Sequence, residues 1–478
     1  MPNNLEPASL DLPKIDLPRK PHYITLHSQN SADDFLVLFK KIEKRYQTCF
    51  LLESLGEEGD MSRYSLIGFD PAQIISAIDN TLFIRTYTQK GLEQSILEKE
   101  EQFISDNPYA LLQKIVPQNI ISKKYAGGLT GYLAYDCINY FENKLKVKTS
   151  DLFEAFKFGV YKDGLIFDKM TGELIYFYYQ NNRLEQIKAL IAEDYIGNGA
   201  LKVKYLGDTM TQEQHAQAVE KVKQNIINGL VFQCEVGFKS RYELTGDTIN
   251  IYEQLRIVNP SPHMYYLKFN DERIIGASPE LLFRLRQGEM ETYPLAGTTK
   301  RGATPKEDRE LARALLNDPK EVAEHNMLID LHRNDIGKVA KFGTVKVRNM
   351  MNIKRFSHVQ HISSEIVGII KDSEDMFSAL ASNFPAGTLS GAPKIEAIKI
   401  IDAMEVDARG PYGGAVGCFS FNGDCTFAIP IRTIFSKGKA AYVQTSGGNV
   451  YDSVAQSEYE EIQRKLAGTR KVLDLFRD

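Results

Sequence analysis

Apolar residues recur at three- and four-residue steps through SADDFLVLFKKIEKRY, Ser31 to Tyr46, which predicts an amphipathic helix. The runs after it, CFLLES, YSLIGF, AQIISAI, TLFIRTY, GLTGYLAYD and FGVYKDGLIFD, alternate or stay apolar over short lengths, as strands do, and a charged helix around Glu185 to Glu193 closes the region. Gly197 to Asp208 (GNGALKVKYLGD) has three glycines and little periodicity and is read as a boundary. Beyond it Thr211 opens a helix with Gln214 completing a capping box, and Asn228-Gly229 ends it. Strand patterns then dominate to about Lys300. Thr304-Pro305-Lys306-Glu307 and Asp318-Pro319-Lys320-Glu321 each set a capping oxygen before a first-turn proline and an acidic residue, predicting two successive helices. Near the end, three apolar or alternating runs joined at Asn422-Gly423 and Lys437-Gly438 predict an antiparallel meander. Strands and helices come in separate runs, so the expected class is α+β. A flexible tail is expected at 1–20, an N-terminal region at 21–200 and a second region at 209–478.

Composition changes this picture little. The 478 residues are 43% hydrophobic and 25% charged, as in ordinary folded proteins. With 58 Lys and Arg against 62 Asp and Glu there is no basic field for a polyanion, so nucleic acid is not an expected partner. The five cysteines form no CxxC pair or zinc-like cluster and read as buried thiols in a reducing compartment. No apolar run reaches the roughly 18 residues of a membrane span, and the amino terminus is polar and proline-rich, so a cytoplasmic protein is expected.

No GxxxxGK[ST], GxGxxG or GxSxG motif is present. FPAGTLSGAPK and TSGG are either ordinary turns or backbone N–H cradles for a carboxylate. In KEVAEHNMLIDLHRND, Glu321 and Glu324 share a helix face with Leu328 and Leu331, which turns Glu324 inward; Glu321 alternatively completes the cap on Asp318. In AQSEYEEIQRKLAG, Glu458, Glu461 and Lys465 share a face beside Ile462 and Leu466, which reads either as a solvated charged face or as a second carboxylate pair. Both pairs together suit one Mg²⁺, a hard cation that takes a few carboxylates and keeps sites for water and an anionic substrate. Glu280, His361, Tyr412 and Arg432 are further candidates. Arg432, read inside an apolar strand, binds an anion or forms a structural ion pair, and a histidine such as His361 is as readily a core residue.

Taken in order, GASPELL, PLAGTTKRG, DPKEVAEHNMLIDLHRND, FPAGTLSGAPK, RGPYGGAVG, IRT and SEYEEIQRKL resemble the chorismate-utilising enzymes, and within them the large subunits (component I) of anthranilate synthases. The motifs run from about Gln212 to Leu473, and LLES with SRYSLIG resembles the first region of the same subunits. The resemblance implies large antiparallel sheets layered with helices and amination of chorismate to anthranilate with loss of pyruvate, the first step of tryptophan biosynthesis. By motif position it implies Mg²⁺ held by Glu321, Glu324, Glu458 and Glu461 on the ring carboxylate. Arg432, Tyr412, Lys465, Gly447 and Gly448 would bind the enolpyruvyl carboxylate and neighbouring oxygens, with Thr298 and Thr388 hydrogen-bonding the substrate. Glu280 would be the general acid for the departing ring hydroxyl, and His361 would assist the proton loss that releases pyruvate. Gln233 stands where isochorismate and salicylate synthases place a water-activating lysine, and Ala296 where lysine-dependent aminodeoxychorismate synthases place a nucleophile, so direct attack by ammonia is expected. Aminodeoxychorismate synthase component I is the alternative within the family. No glutaminase elbow is present, so a separate glutamine amidotransferase subunit is expected to supply ammonia. Leu52, Glu53, Ser54, Asn259, Pro260 and Met264 match the family's inhibitory tryptophan site. The chain departs from the pattern at three places: CEVGFK follows Gln233, Ser446 replaces the first glycine before Gly447, and His263 replaces a tyrosine.

Overall fold

The computed structural model describes residues 11–28, 31–55, 63–89, 95–355 and 359–477. Two large antiparallel sheets face each other, as the α+β expectation holds, and each is assembled from both halves of the chain. In the first sheet, His22–Ser28, Glu173–Tyr178, Asp163–Asp168, Tyr64–Phe69 and Thr48–Glu53 continue into His263–Phe269, Glu272–Ser278, Thr433–Lys437, Ala440–Asn449, Gln233–Gly246 and Leu201–Asp208. The second joins Leu295–Lys300, Val359–Ile369, Glu289–Thr292, Leu281–Arg286, Cys425–Ala428 and Ala415–Ser420 to Gly128–Leu133, Phe156–Tyr161, Gln73–Ile78, Thr81–Thr88 and Ile96–Ile104. The halves meet where Met264 lies opposite Glu53 in one sheet and Gly417 opposite Gly131 in the other. A Cβ on Gly131 would lie 1.9 Å from the Lys157 carbonyl oxygen, so only glycine lets the strands close there.

Alternation explains the layers. Phe50, Tyr265, Leu267 and Phe435 point between the sheets and pack with Phe158, Phe283, Phe419 and Phe427. Their neighbours Cys49, Leu51, Met264, Tyr266 and Ile434 point outward under helices that include Ala32–Arg45, Ile249–Val258 and Ala455–Asp474. Ser31, Thr211, Thr304 and Asp318 cap their helices with side-chain oxygens as read from the sequence. All five cysteines are buried and free.

Three expectations need correction. Of the tail, residues 1–10 lie outside the described residues, but Leu12, Ile15 and Leu17 are buried in the central core and the Ile15 N–H donates to the Ile115 carbonyl, because apolar residues at this spacing have a groove to fill. The boundary stretch contains the strand Leu201–Asp208, anchored by buried Leu201 and Val203 and paired with Gln233–Gly246. The carboxy-terminal meander is two hairpins in different sheets: Ala415–Ser420 with Cys425–Ala428 in the second, Thr433–Lys437 with Ala440–Asn449 in the first. Between them the chain crosses from sheet to sheet through Ile429 to Arg432, and Arg432 stands in this loop with φ of 51° instead of inside a strand. Pro430 cannot donate to a ladder, so continuous pairing stops there.

Candidate active site

A second crossing lies beside the first. Strand Glu272–Ser278 belongs to the first sheet and Leu281–Arg286 to the second, so Pro279 and Glu280 turn the corner between them. The Ile429 N–H donates to the Glu280 carbonyl at 3.1 Å and the Ala277 N–H to the Arg432 carbonyl at 3.3 Å, which brings Glu280 and Arg432 together. Glu280 is 6% exposed and its Oε1 accepts from the Thr388 hydroxyl at 2.8 Å. Burial pushes its carboxyl up to about 7, although the Thr388 hydrogen bond and the Arg432 charge pull the other way. That is the range of a carboxyl group that can donate a proton near neutral pH.

Glu321 and Glu324 project from the first turns of helix Pro319–Val339, whose Asp318 cap accepts from the N–H groups of Lys320 and Glu321. Glu321 does not complete a capping box: its N–H is held by the Asp318 side chain, but its own carboxylate lies against Gly297, where a Cβ would come 2.9 Å from Oε2. Glu458 and Glu461 project from helix Ala455–Asp474, with Glu461 paired to Lys465 at 2.8 Å. The two pairs feel each other. Burial raises the Glu321 carboxyl, with Asp318 and Glu461 adding to it; burial raises Glu324, with Glu321 and Glu235 adding; burial raises Glu458, with Glu461 adding. Among the described residues no three acidic, histidine or cysteine side chains converge as a ready cage for an ion. The donor set is nonetheless of the kind Mg²⁺ takes, hard carboxylate oxygens in mutual repulsion, and an ion that keeps several of its waters needs only one or two of them directly.

Gly447 and Gly448 lie on Ala440–Asn449 opposite Val236 and Glu235 of the neighbouring strand. Lys465 Nζ donates to the Ser446 carbonyl at 3.0 Å. Ser446 Oγ donates to Glu235 Oε2 at 2.6 Å; its one hydrogen is then committed, so the Tyr412 hydroxyl, 3.0 Å away, is the donor to Ser446. Gln233 Nε2 donates to Glu324 Oε1 at 3.3 Å. His361 Nδ1 lies 3.0 Å from both the Gly297 carbonyl and Thr298 Oγ1. A carbonyl only accepts, so Nδ1 carries the hydrogen and Nε2 the lone pair. Burial lowers this imidazole to about 4, keeping it neutral at pH 7, against the contribution of the Gly297 carbonyl. Thr298 is exposed and bonded to His361.

Two groups went unread in the sequence. Glu235, 7% exposed, follows Gln233 by two residues and shares its strand face, a spacing that could have marked it. Buried Arg409 donates to the carbonyls of Leu389 and Glu235 at 2.6 and 3.2 Å while paired with Glu405 at 2.8 Å, an arrangement no local pattern announces.

Away from this site, Leu52, Glu53, Ser54 and Met264 line a cavity of about 230 Å³ that also includes His263, Arg284 and Cys418. The Ser54 hydroxyl is buried without a hydrogen-bond partner, and Lys169 holds its carbonyl. Glu53 is already taken by Tyr252 and Arg256, each at 2.7 Å. Burial lowers His263 to about 3, with Arg284 and Lys354 adding, so its ring is neutral. Asn259 is outside the lining; it terminates helix Ile249–Val258 and donates to the Ala277 carbonyl at 3.4 Å, with Pro260 following it.

Residues 47–471 match the family described as chorismate binding enzyme. The chain is 51% identical to anthranilate synthase component 1 of Leptospira biflexa, over 98% of this chain and 99% of that protein. It is 40% identical to the component 1 of Methanothermobacter thermautotrophicus, over 92% of each. The crystal structure of anthranilate synthase component I from Streptococcus pneumoniae superposes with a TM-score of 0.71 at 30% identity, covering 87% of this chain and 94% of that one. With crossings, acid and carboxylate pairs arranged as above and matches of this extent, the chain belongs to the chorismate binding enzyme family.

Proposed function

We propose that the chain is an anthranilate synthase component I, an oxo-acid lyase that converts chorismate and ammonia into anthranilate and pyruvate. The observation that carries this reading is Glu280: a buried carboxyl held near 7, hydrogen-bonded by Thr388 beside Arg432, and feeling the charges of Glu235 and Lys465, which in turn act on Glu324 and pair with Glu461. Arg432, Tyr412 and Lys465, with the backbone at Gly447 and Gly448, bind the enolpyruvyl carboxylate and neighbouring oxygens. As the nitrogen lone pair forms the new C–N bond, the ring C–O bond breaks and Glu280 gives its proton to the departing hydroxyl, which leaves as water. His361 Nε2 then takes the ring proton; the enolpyruvyl C–O bond breaks, its methylene gains a proton and pyruvate leaves. Thr298 orients His361 in this scheme, and Gln233, bonded to Glu324, is counted with the catalytic groups. Mg²⁺, when bound, supplies Lewis-acid polarisation and a template for the ring carboxylate, and Glu321, Glu324, Glu458 and Glu461 are the residues that would hold it, directly or through water. Ala296 has no nucleophile, which favours direct amination over a covalent route.

In the same reading residues 209–478 carry the catalytic groups, while the strand Thr48–Glu53 and Ser54 after it bring the 21–200 region to the cavity, where tryptophan binds as feedback inhibitor. Ammonia comes from a glutamine amidotransferase partner, component II. No described helix is long and apolar enough to cross a membrane, and the reading places the enzyme in the cytoplasm. Incubating the purified chain with chorismate, Mg²⁺ and ammonium and identifying the products tests the assignment: anthranilate with pyruvate is expected. The para-amino isomer or its amino-deoxy precursor as main product would make the chain an aminodeoxychorismate synthase instead.

A further inference from the structure

The Glu235 carboxylate is buried at 7% exposure, and of its two oxygens only Oε2 accepts a hydrogen bond among the described residues, from Ser446. Gln233, on the same strand face, is buried at 5%, and its amide oxygen Oε1 has no hydrogen-bond partner. Both side chains close over one α carbon: a Cβ on Gly448 would lie 2.5 Å from Gln233 Nε2 and 2.8 Å from Glu235 Oε1. Burial raises the Glu235 carboxyl against the charges of Lys465 and Arg409, yet neither cation donates a hydrogen bond to its side chain: Lys465 is bonded to Glu461 and the Ser446 carbonyl, Arg409 to Glu405 and the carbonyls of Leu389 and Glu235. A buried carboxylate oxygen at Gly448 and an orphaned amide oxygen on the neighbouring side chain of the same strand face call for a donor-rich, positively charged guest. Chorismate is the poorer guest: its two carboxylates and ether only accept, and its one donor, the ring hydroxyl, faces Glu280 in the scheme above.

We propose that Glu235, fixed by Ser446 and flanked by Gln233, seats the reacting nitrogen as an ammonium ion, an inference that rests on the amination reading above. Ammonium brings four N–H donors and one positive charge. Transfer of one proton from it to the Glu235 carboxylate leaves ammonia with its lone pair and a neutral carboxylic acid, beside Gly448 and the substrate it contacts. Ser446 is a positioning residue: its hydroxyl turns Oε2 aside and leaves Oε1 for the ion.

The test is steady-state amination by the full chain at saturating Mg²⁺, varying ammonium chloride with tetramethylammonium chloride holding ionic strength constant. In Glu235→Gln the KM for ammonium should rise about ten- to a hundredfold, the loss expected for a hydrogen bond to a charged group, while the KM for chorismate stays within about twofold. Ser446→Ala should raise the ammonium KM by about threefold to tenfold, and decides the matter if Glu235→Gln does not fold as judged by thermal melting. An unchanged ammonium KM, or an equal rise in the chorismate KM, overturns the subsite and leaves the amination reading intact. No aminated product from wild type overturns both.

Discussion

Thr388 donates its hydroxyl hydrogen to Glu280 Oε1 across 2.8 Å, from the turn Gly387–Leu389 to the corner where the chain leaves one sheet for the other. A hydrogen bond to a carboxylate favours its charged form, so Thr388 restrains the rise that burial imposes on Glu280. If Glu280 must be protonated to act, activity falls as pH rises through about 7. Thr388→Val removes the restraint and should move this alkaline limb to higher pH, whereas Glu280→Gln should lower kcat about 100- to 10,000-fold below about pH 7 and abolish the limb. A pH–rate profile of the three proteins decides; a limb that stays in place in Thr388→Val would detach Glu280 from the acid role.

The two carboxylate pairs make a prediction about the metal. Glu324→Gln and Glu461→Gln should abolish Mg²⁺-dependent turnover and weaken Mg²⁺ binding, measured by titration calorimetry, by at least about tenfold with melting temperatures little changed. Chelation with EDTA should stop wild-type turnover reversibly. Wild-type Mg²⁺ affinity and rate in both variants would remove these residues from the metal.

Arg409 ties stability to the site. Its guanidinium is buried, paired with Glu405, and bonded to the carbonyls next to Thr388 and at Glu235. Arg409→Met leaves the Glu405 carboxylate buried without its partner, at a cost of about 3–5 kcal/mol, and should lower the denaturant midpoint accordingly. A stability loss below about 1 kcal/mol, read from the midpoint and slope of the denaturation curve, would mean the pair is screened or replaced by water.

Ser54, whose buried hydroxyl is unpartnered, lines a cavity walled by residues of both sheets. Ser54→Phe should fill that space and relieve inhibition by tryptophan while leaving the uninhibited rate close to wild type. Coupling is reciprocal, so chorismate should weaken tryptophan binding by the factor with which tryptophan weakens chorismate binding. Equal inhibition of both proteins in a tryptophan titration would place the regulatory site elsewhere.

Local chemistry was legible in the sequence wherever it acts over one or two turns or along one strand. The caps at Ser31, Thr211, Thr304 and Asp318, the alternation of CFLLE and the hairpin glycines Gly423 and Gly438 are set by neighbours in the chain. The ordered motifs located Glu280, Arg432 and the two carboxylate pairs for the same reason: each is a short segment whose residues stand together. Which sheet a strand joins was not legible, because Ala415 to Asn449 reads as one meander until Pro430 and Arg432 carry it across, and nothing local distinguishes a hairpin neighbour from a strand of the facing sheet. The same limit hid Glu235, whose meaning depends on Ser446, 211 residues away, and Arg409, whose partners lie on three separate segments. Burial and long-range hydrogen bonds decide whether a carboxylate is a solvated charge or a poised acid, and these exist only once the two sheets have closed on each other.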